Sequence, residues 1–281
     1  MGNLLNSIIF PHPPPSYAPG TQPDLRFVKS GADDIAVVAI KSHAVFPSDP
    51  VLVFYSHGNA EDVGECYPML MEFSQLLGKR IPNVVVGYDY SGYGRSTGAP
   101  SESVVFRNAH DALLHMMNEF NVPPSRVIVW GRSLGSGPTC YLAEKANNGD
   151  RKPFAGVVLC SPLMSIFRVG LNSIRSYSLP LDQFCNYERL KRGFGDQTPI
   201  FVIHGEMDEV VPFAQGKKLF DTIPEHLRHP SLFVPRAGHN DVEYKLAQNL
   251  GASHRRGQNP LLPFVVEFVA TCMRRQDSSR I

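Results

Sequence analysis

The sequence predicts an α/β fold, a mainly parallel central sheet covered by helices on both faces. Three observations predict it. Short apolar runs rich in β-branched residues fall at 35–40, 51–55, 84–90, 127–130, 156–160, 200–204 and 232–235. They are continuous rather than alternating, the pattern of strands buried on both faces. Helical stretches separate them, at 62–77, 102–120, 134–147, 212–222, 240–250 and 260–275, and strand–helix alternation is the signature of crossover units on a parallel sheet.

Taken in order, residues 1–24 form a segment distinct from the domain expected at 25–281. Pro11, Pro13, Pro14, Pro15, Pro19 and Pro23 deny it helix and sheet, so it should run as an extended arm over the surface. Its apolar residues Leu4, Leu5, Ile8, Ile9 and Phe10 could pack on the domain. Gly2 stands at the acceptor position for a myristoyl chain, although Asn6 occupies the place of the usual hydroxyl residue and Ser7 follows one position later. Gly2 is therefore a lipidation candidate. Further on, Pro100-Ser101-Glu102 and Asn259-Pro260 read as helix starts. The stretch 165–197 is longer and less regular, lies between two core strands, and is expected to form a short cap insertion. No internal repeat is evident.

Composition narrows the class. A length of 281 residues with 43% hydrophobic content suits one large α/β domain with a real core. A formal charge of +1 gives no reason to expect nucleic acid as a partner. Five cysteines, at 66, 140, 160, 185 and 272, are odd in number and contain no C-x-x-C. That argues against a disulfide framework or a structural zinc site and fits a reducing, cytoplasmic compartment. No apolar run reaches the roughly 18 residues of a membrane span, and the first ten residues lack the basic start and cleavage site of a secretory signal.

The chemistry is concentrated in Gly131-Arg132-Ser133-Leu134-Gly135, directly after the strand at 127–130. A G-x-S-x-G where a strand turns into a helix is a nucleophile elbow, with the serine hydroxyl raised above the sheet. Serine is a poor nucleophile alone; it needs a base, and the base needs an acid to fix its tautomer. The chain supplies both, in the order of the α/β-hydrolase arrangement. After the strand at 200–204 comes Gly205-Glu206-Met207-Asp208-Glu209, and after that at 232–235 comes Ala237-Gly238-His239. Ser133, Asp208 and His239 thus fall in loops at the carboxyl edge of the sheet, where such sites sit. Glu206 and Glu209 are rival acids; Asp208 is preferred because Val210-Val211-Pro212 already begins the next helix. The developing oxyanion needs backbone donors. They are expected from the N–H of Leu134 and, in the loop Ser56-His57-Gly58-Asn59-Ala60, from that of Asn59.

Other readings are weaker. His57 and His204 precede glycines but do not follow the acid, and are expected to be supporting rather than catalytic. Gly131-x-x-x-Gly135-x-Gly137 with Tyr187-x-x-x-Lys191 or Tyr141-x-x-x-Lys145 mimics a short-chain dehydrogenase. However, several strands precede that glycine loop, and the next strand ends in Cys160-Ser161 with no acid for a ribose hydroxyl. No H-E-x-x-H is present, so neither metal nor organic cofactor is expected. A hydrolase-like binding scaffold is the non-enzymatic alternative; a missing Ser, Asp or His would have favoured it. The apolar residues Leu163, Met164, Ile166, Phe167, Val169, Leu171, Leu179, Leu181 and Phe184 could line an acyl groove or could equally be ordinary core.

Together, Tyr55-Ser56-His57-Gly58-Asn59-Ala60, Tyr88-Asp89-Tyr90-Ser91-Gly92-Tyr93-Gly94, the elbow at Ser133, Cys160-Ser161-Pro162-Leu163-Met164-Ser165, His204-Gly205-Glu206-Met207-Asp208-Glu209-Val210 and Ala237-Gly238-His239-Asn240-Asp241 resemble the membrane-associated α/β-hydrolase-domain proteins that act as protein depalmitoylases. The broader group is classed with prolyl-oligopeptidase-like serine peptidases, without their propeller domain. The resemblance covers about 50–250 and implies hydrolysis of a palmitoyl thioester on a lipidated protein, with Ser133 as nucleophile, His239 as proton shuttle, and Asn59 and Leu134 holding the oxyanion. A small-lipid or general carboxylesterase and a peptidase are the competing enzyme readings. The family also implies an N-terminal cysteine cluster that is itself acylated, whereas the first cysteine here is Cys66. Peripheral contact with the cytosolic face of membranes is then expected through the N-terminus, by way of Gly2, and one such chain binds only marginally.

Overall fold

The computed structural model describes residues 9–11, 13–18, 20–148, 152–251 and 258–278. Gly2 lies outside them. Among the described residues, eight strands form one sheet in the order β1-β2-β4-β3-β5-β6-β7-β8. Their ranges are β1 Leu25–Ser30, β2 Asp33–Lys41, β3 Val51–Ser56, β4 Asn83–Tyr88, β5 Val127–Arg132, β6 Gly156–Cys160, β7 Ile200–Gly205 and β8 Leu232–Val234. Strands β1 and β2 form a hairpin, and β2 pairs antiparallel with β4. Every pairing from β4 onward across the sheet is parallel. The sheet is thus the mainly parallel one expected, with one addition. Strand β1 escapes the apolar pattern because it is an edge strand: only Val28 and Ser30 are buried, while Phe27 and Lys29 are exposed. Gly31, at φ +61°, opens the two-residue turn that pairs it with β2.

Strands β3, β4, β6 and β7 are buried along their whole length, because helices cover both faces. The helices are α1 Val63–Gly78, α2 Glu102–Glu119, α3 Ser136–Asn148, α4 Ile166–Gly170, α5 Asn186–Arg192, α6 Phe213–Thr222, α7 Val242–Leu250 and α8 Leu262–Ser278. Side chains along β5 alternate between two apolar cores. Val127 and Val129 face α2 and α3; Ile128 and Trp130 face α1 and α8. Helices α4 and α5, with the loop between them, make up the cap segment. Among the described residues no helix is long and apolar enough to cross a membrane.

The described residues of the proline-rich arm, from Ile9 onward, are bound tightly to the domain. Beyond Ile9, which is helical, its described residues form neither helix nor strand before β1. Ile9, Phe10 and Tyr17 are buried. Ser16 bonds through both its N–H and its hydroxyl to Asp62, the residue that caps α1. Tyr17 donates its hydroxyl at 2.6 Å to Asp89, which is fully buried just beyond β4. Burial pushes the Asp89 carboxyl above the usual carboxylate range, against the pull of His57, Tyr17 and the Val63 N–H. Arg95 closes the contact by donating to the Tyr17 carbonyl at 3.1 Å.

Candidate active site

The elbow is built by the close approach of backbone to backbone. Ser133 follows β5 directly and has φ +52°, a left-handed conformation that is uncommon for a residue with a side chain. A Cβ on Gly131 would lie 2.3 Å from the Gly135 carbonyl oxygen. One on Gly135 would lie 2.1 Å from the Ser56 carbonyl oxygen at the end of β3, and one on Gly137 would lie 2.1 Å from the Phe184 ring. The three glycines that mimic a dinucleotide loop are thus spent on packing. Gly135→Ala is expected to destabilise the fold by about 1–3 kcal/mol, and to displace the 56–59 loop. Thermal melting and the rate of Ser133 labelling by a fluorophosphonate check both effects.

The structure brings Ser133, Asp208 and His239 together. His239 Nδ1 lies 2.8 Å from Asp208 Oδ2, and His239 Nε2 lies 3.0 Å from Ser133 Oγ. A carboxylate only accepts, so Nδ1 carries the proton and Nε2 offers its lone pair to the serine hydroxyl. Asp208 and His239 are buried, and Ser133 is half-buried with access to solvent. The Val210 and Val211 N–H groups donate to Asp208 Oδ1 at 3.0 and 2.7 Å. Burial alone would raise the Asp208 carboxyl, but hydrogen bonds from His204, His239 and the Val211 N–H hold it well below the usual carboxylate range. Of the rival acids, Glu206 is exposed, and Glu209 accepts the backbone N–H of His239 at 3.3 Å. Among the cysteines, burial pushes the Cys140, Cys160 and Cys272 thiols up to about 12, which leaves them inert as nucleophiles.

His204 is buried with its Nε2 2.9 Å from the Val211 carbonyl and 3.2 Å from Asp208 Oδ2. Both neighbours are acceptors, so Nε2 carries the proton and steadies the carboxylate. His57 is also buried; its Nδ1 lies 2.8 Å from the Gly58 carbonyl and its Nε2 3.7 Å from Asp89. Neither histidine reaches Ser133.

Asn59 lies in the loop after β3, beside the elbow, and Leu134 follows Ser133 as a buried residue. The Asn59 side chain is held at both ends: Tyr93 donates to its Oδ1 at 2.7 Å, and its Nδ2 donates to the Ile9 carbonyl at 2.7 Å. Tyr90 donates to the His57 carbonyl at 2.6 Å. The tyrosines of the 88–94 motif therefore brace the 57–59 loop, a role that their spacing alone does not reveal. Arg132 is a second residue missed in the sequence. It pairs with Glu61 and donates to the His239 carbonyl at 3.4 Å and to Asn240 at 3.2 Å, tying the elbow to the histidine loop. Its only signal is a charge within the elbow, next to Ser133.

The apolar residues of the 163–184 stretch divide three ways. Leu163, Met164 and Phe184 are core, Ile166, Phe167 and Val169 are half-buried, and Leu171, Leu179 and Leu181 are exposed. A separate apolar cavity of about 590 Å³ between α2 and α3, lined by Leu113, Met117, Tyr141 and Phe154, includes none of Ser133, Asp208 and His239.

Residues 101–274, more than half of the chain, match the prolyl oligopeptidase family. The chain belongs to that family. The chain is 37% identical over 201 residues to the alpha/beta hydrolase domain-containing protein aho-3 of Caenorhabditis elegans, covering 72% of this chain and 56% of that one. It is 36% identical over 197 residues to the alpha/beta hydrolase domain-containing protein 17C of Homo sapiens, covering 70% and 55%. The match thus spans little more than half the length of these curated relatives. Among solved structures, an esterase of Pyrococcus furiosus is similar with a TM-score of 0.64 at 15% identity, covering 93% of this chain and 98% of that one. A soluble variant of monoglyceride lipase from Saccharomyces cerevisiae gives 0.59 at 16%, covering 92% and 99%. At such identities the likeness establishes the α/β-hydrolase fold. This member of the prolyl oligopeptidase family thus has the α/β-hydrolase fold.

Proposed function

We propose that the protein is a serine hydrolase that cleaves acyl thioesters or esters, with palmitoyl thioesters on lipidated proteins as its substrates. The observation that carries the hydrolase reading is the continuous hydrogen-bonded chain from Ser133 through His239 to Asp208. The protein substrate is supported by the resemblance of the 55–60, 88–94 and 237–241 motifs to the depalmitoylase branch.

In this reading Ser133 Oγ attacks the acyl carbon while its proton passes to His239 Nε2. Negative charge develops on the acyl oxygen and is met by the N–H groups of Asn59 and Leu134. The tetrahedral intermediate collapses, the carbon–sulfur bond breaks, and His239 returns the proton to the departing thiol. Water then gives a proton to His239 and attacks the acyl-serine; the fatty acid leaves and Ser133 regains its hydrogen. No cofactor takes part.

The test is turnover of matched thioesters and oxyesters from short chains to sixteen carbons, beside a peptide amide, with Ser133→Ala as the blank. The expected result is Ser133-dependent cleavage that favours long-chain thioesters. Fast short-ester cleavage with no long-chain activity would make the protein a general carboxylesterase. Amide cleavage would make it a peptidase, the reading favoured by the family match over 101–274. No turnover at all would leave a binding scaffold.

A further inference from the structure

The cavity between α2 and α3 measures about 590 Å³, within the range of about 300–1,000 Å³ typical of ligand sites. Its floor is apolar and buried, made of Leu113, Met117, Leu142, Ala146 and Phe154. The polar groups stand at its rim, where His110 and Tyr141 are half-buried and Lys145 and Asn148 are exposed. The lining runs from 110 to 117 on α2 and from 141 to 148 on α3, two turns and about 10 Å of each helix axis. The space is therefore an elongated trough with an apolar floor and a polar mouth. Protein interiors are close-packed, and an empty apolar trough denies its lining the contacts that a filled one would supply.

The mouth is positively charged. Among the described residues Glu144 is the one carboxylate of the lining, and Arg189 and Arg192 both donate to it. Burial alone would raise the Glu144 carboxyl, but the bonds from Arg192 and Arg189 hold it below the usual carboxylate range. One carboxylate thus stands against two guanidiniums, and Lys145 adds a third cation. The Lys145 ammonium donates to the Tyr141 hydroxyl at 3.3 Å and lies 5.6 Å from the centre of that ring. Among the described residues it pairs with no carboxylate. Tyr141 is itself held in place. It stacks on Phe106 with ring centres 4.4 Å apart and 7° between the planes, and the Arg189 guanidinium lies 5.3 Å from its centre. A fixed ring therefore presents a hydroxyl and an ammonium side by side at the mouth of the trough.

We propose that this cavity is a binding site for a free fatty acid, apart from the Ser133 site. The hydrocarbon chain lies along the floor between Leu113, Met117, Leu142 and Phe154. The carboxylate stays at the mouth, where it accepts from the Lys145 ammonium and the Tyr141 hydroxyl. Keeping the charge at the rim spares it the cost of burial. The excess of cations selects a carboxylate head over an ammonium or an alcohol, and the elongated shape selects a flexible chain over a rounded apolar molecule. None of Ser133, Asp208 and His239 lines the cavity, so the site stands whether or not the reaction proposed above is the protein's own.

The test is calorimetric titration of the full chain with octanoate, decanoate and dodecanoate below their micelle concentrations, beside dodecanol and dodecyltrimethylammonium. Saturable binding of one dodecanoate per chain is expected, with affinity rising about fourfold for each methylene added along the series. Lys145→Gln should weaken dodecanoate about threefold and leave dodecanol unchanged. Ala146→Leu fills the floor and should abolish binding. Because that change can disturb the core, Leu114→Trp at the half-exposed rim serves beside it; it should block the mouth with an unchanged melting temperature. Ser133→Ala should bind dodecanoate like the wild type. Lack of saturable binding overturns the proposal, as does binding that survives both Ala146→Leu and Leu114→Trp, which would place the chain elsewhere. Dodecanol or dodecyltrimethylammonium binding as tightly as dodecanoate overturns the carboxylate assignment. Absence of Ser133-dependent ester turnover would instead sink the reaction and leave the titration result standing.

Discussion

Replacement of Ser133 by alanine is expected to lower kcat by about 10⁶-fold, because nucleophile and base act as a unit and the loss of either abolishes the covalent route. The geometry makes the expectation specific. Ser133 Oγ is 3.0 Å from His239 Nε2, and the position at φ +52° fixes the hydroxyl there without help from its own flexibility. The fold should not suffer, since Ser133 is half-buried and its backbone, rather than its side chain, carries the elbow. The measurement is single-turnover acyl transfer, with the melting temperature taken alongside. A variant that keeps most of its activity would remove Ser133 from the reaction.

Asp208→Asn is expected to cost about 10⁴-fold in kcat, and the loop around it explains why. Two backbone donors, Val210 and Val211, face one oxygen of the carboxylate, so an amide introduced there turns its oxygen toward them. Its NH₂ then faces His239 Nδ1 and forces the ring into the tautomer with hydrogen on Nε2, which cannot accept the serine proton. Titration follows the same logic. The folded carboxyl lies below its unfolded value of roughly 4, so its contribution to stability is complete above that value and is lost as pH falls through the folded one. The wild type should therefore keep Asp208 ionised throughout its working range. The Asn variant should lack this acid-side loss in a pH series of melting temperatures, and its kcat deficit should persist from neutral to alkaline pH.

The sheet and the hydrogen-bonded chain of Ser133, His239 and Asp208 were legible because their signals are local. Each central strand is a continuous apolar run, and Ser133, Asp208 and His239 each sit immediately after one, in the order that this topology requires. Strand β1 was not legible, because an edge strand with only Val28 and Ser30 buried carries too little apolar pattern. Helices α4 and α5 were hidden for another reason: at 5 and 7 residues they are too short to show a period and are fixed by tertiary bonds such as Arg168 to Glu188. The same holds around the site. Tyr93, Arg132 and Ile9 act on Asn59 and His239 across 34, 107 and 50 positions of sequence, and no local pattern records such contacts.

The bond from Asn59 to the Ile9 carbonyl has a practical consequence. Where a strand-by-strand view would start the domain at residue 25, a recombinant fragment begun there would lose the partner of a side chain beside the elbow and strip Tyr17 from the buried Asp89. The shortest useful expression boundary lies ahead of Ile9. Whatever is fused in front of it, an affinity tag or a fluorophore, starts beside the 57–59 loop, so a small dye placed there reports on that loop.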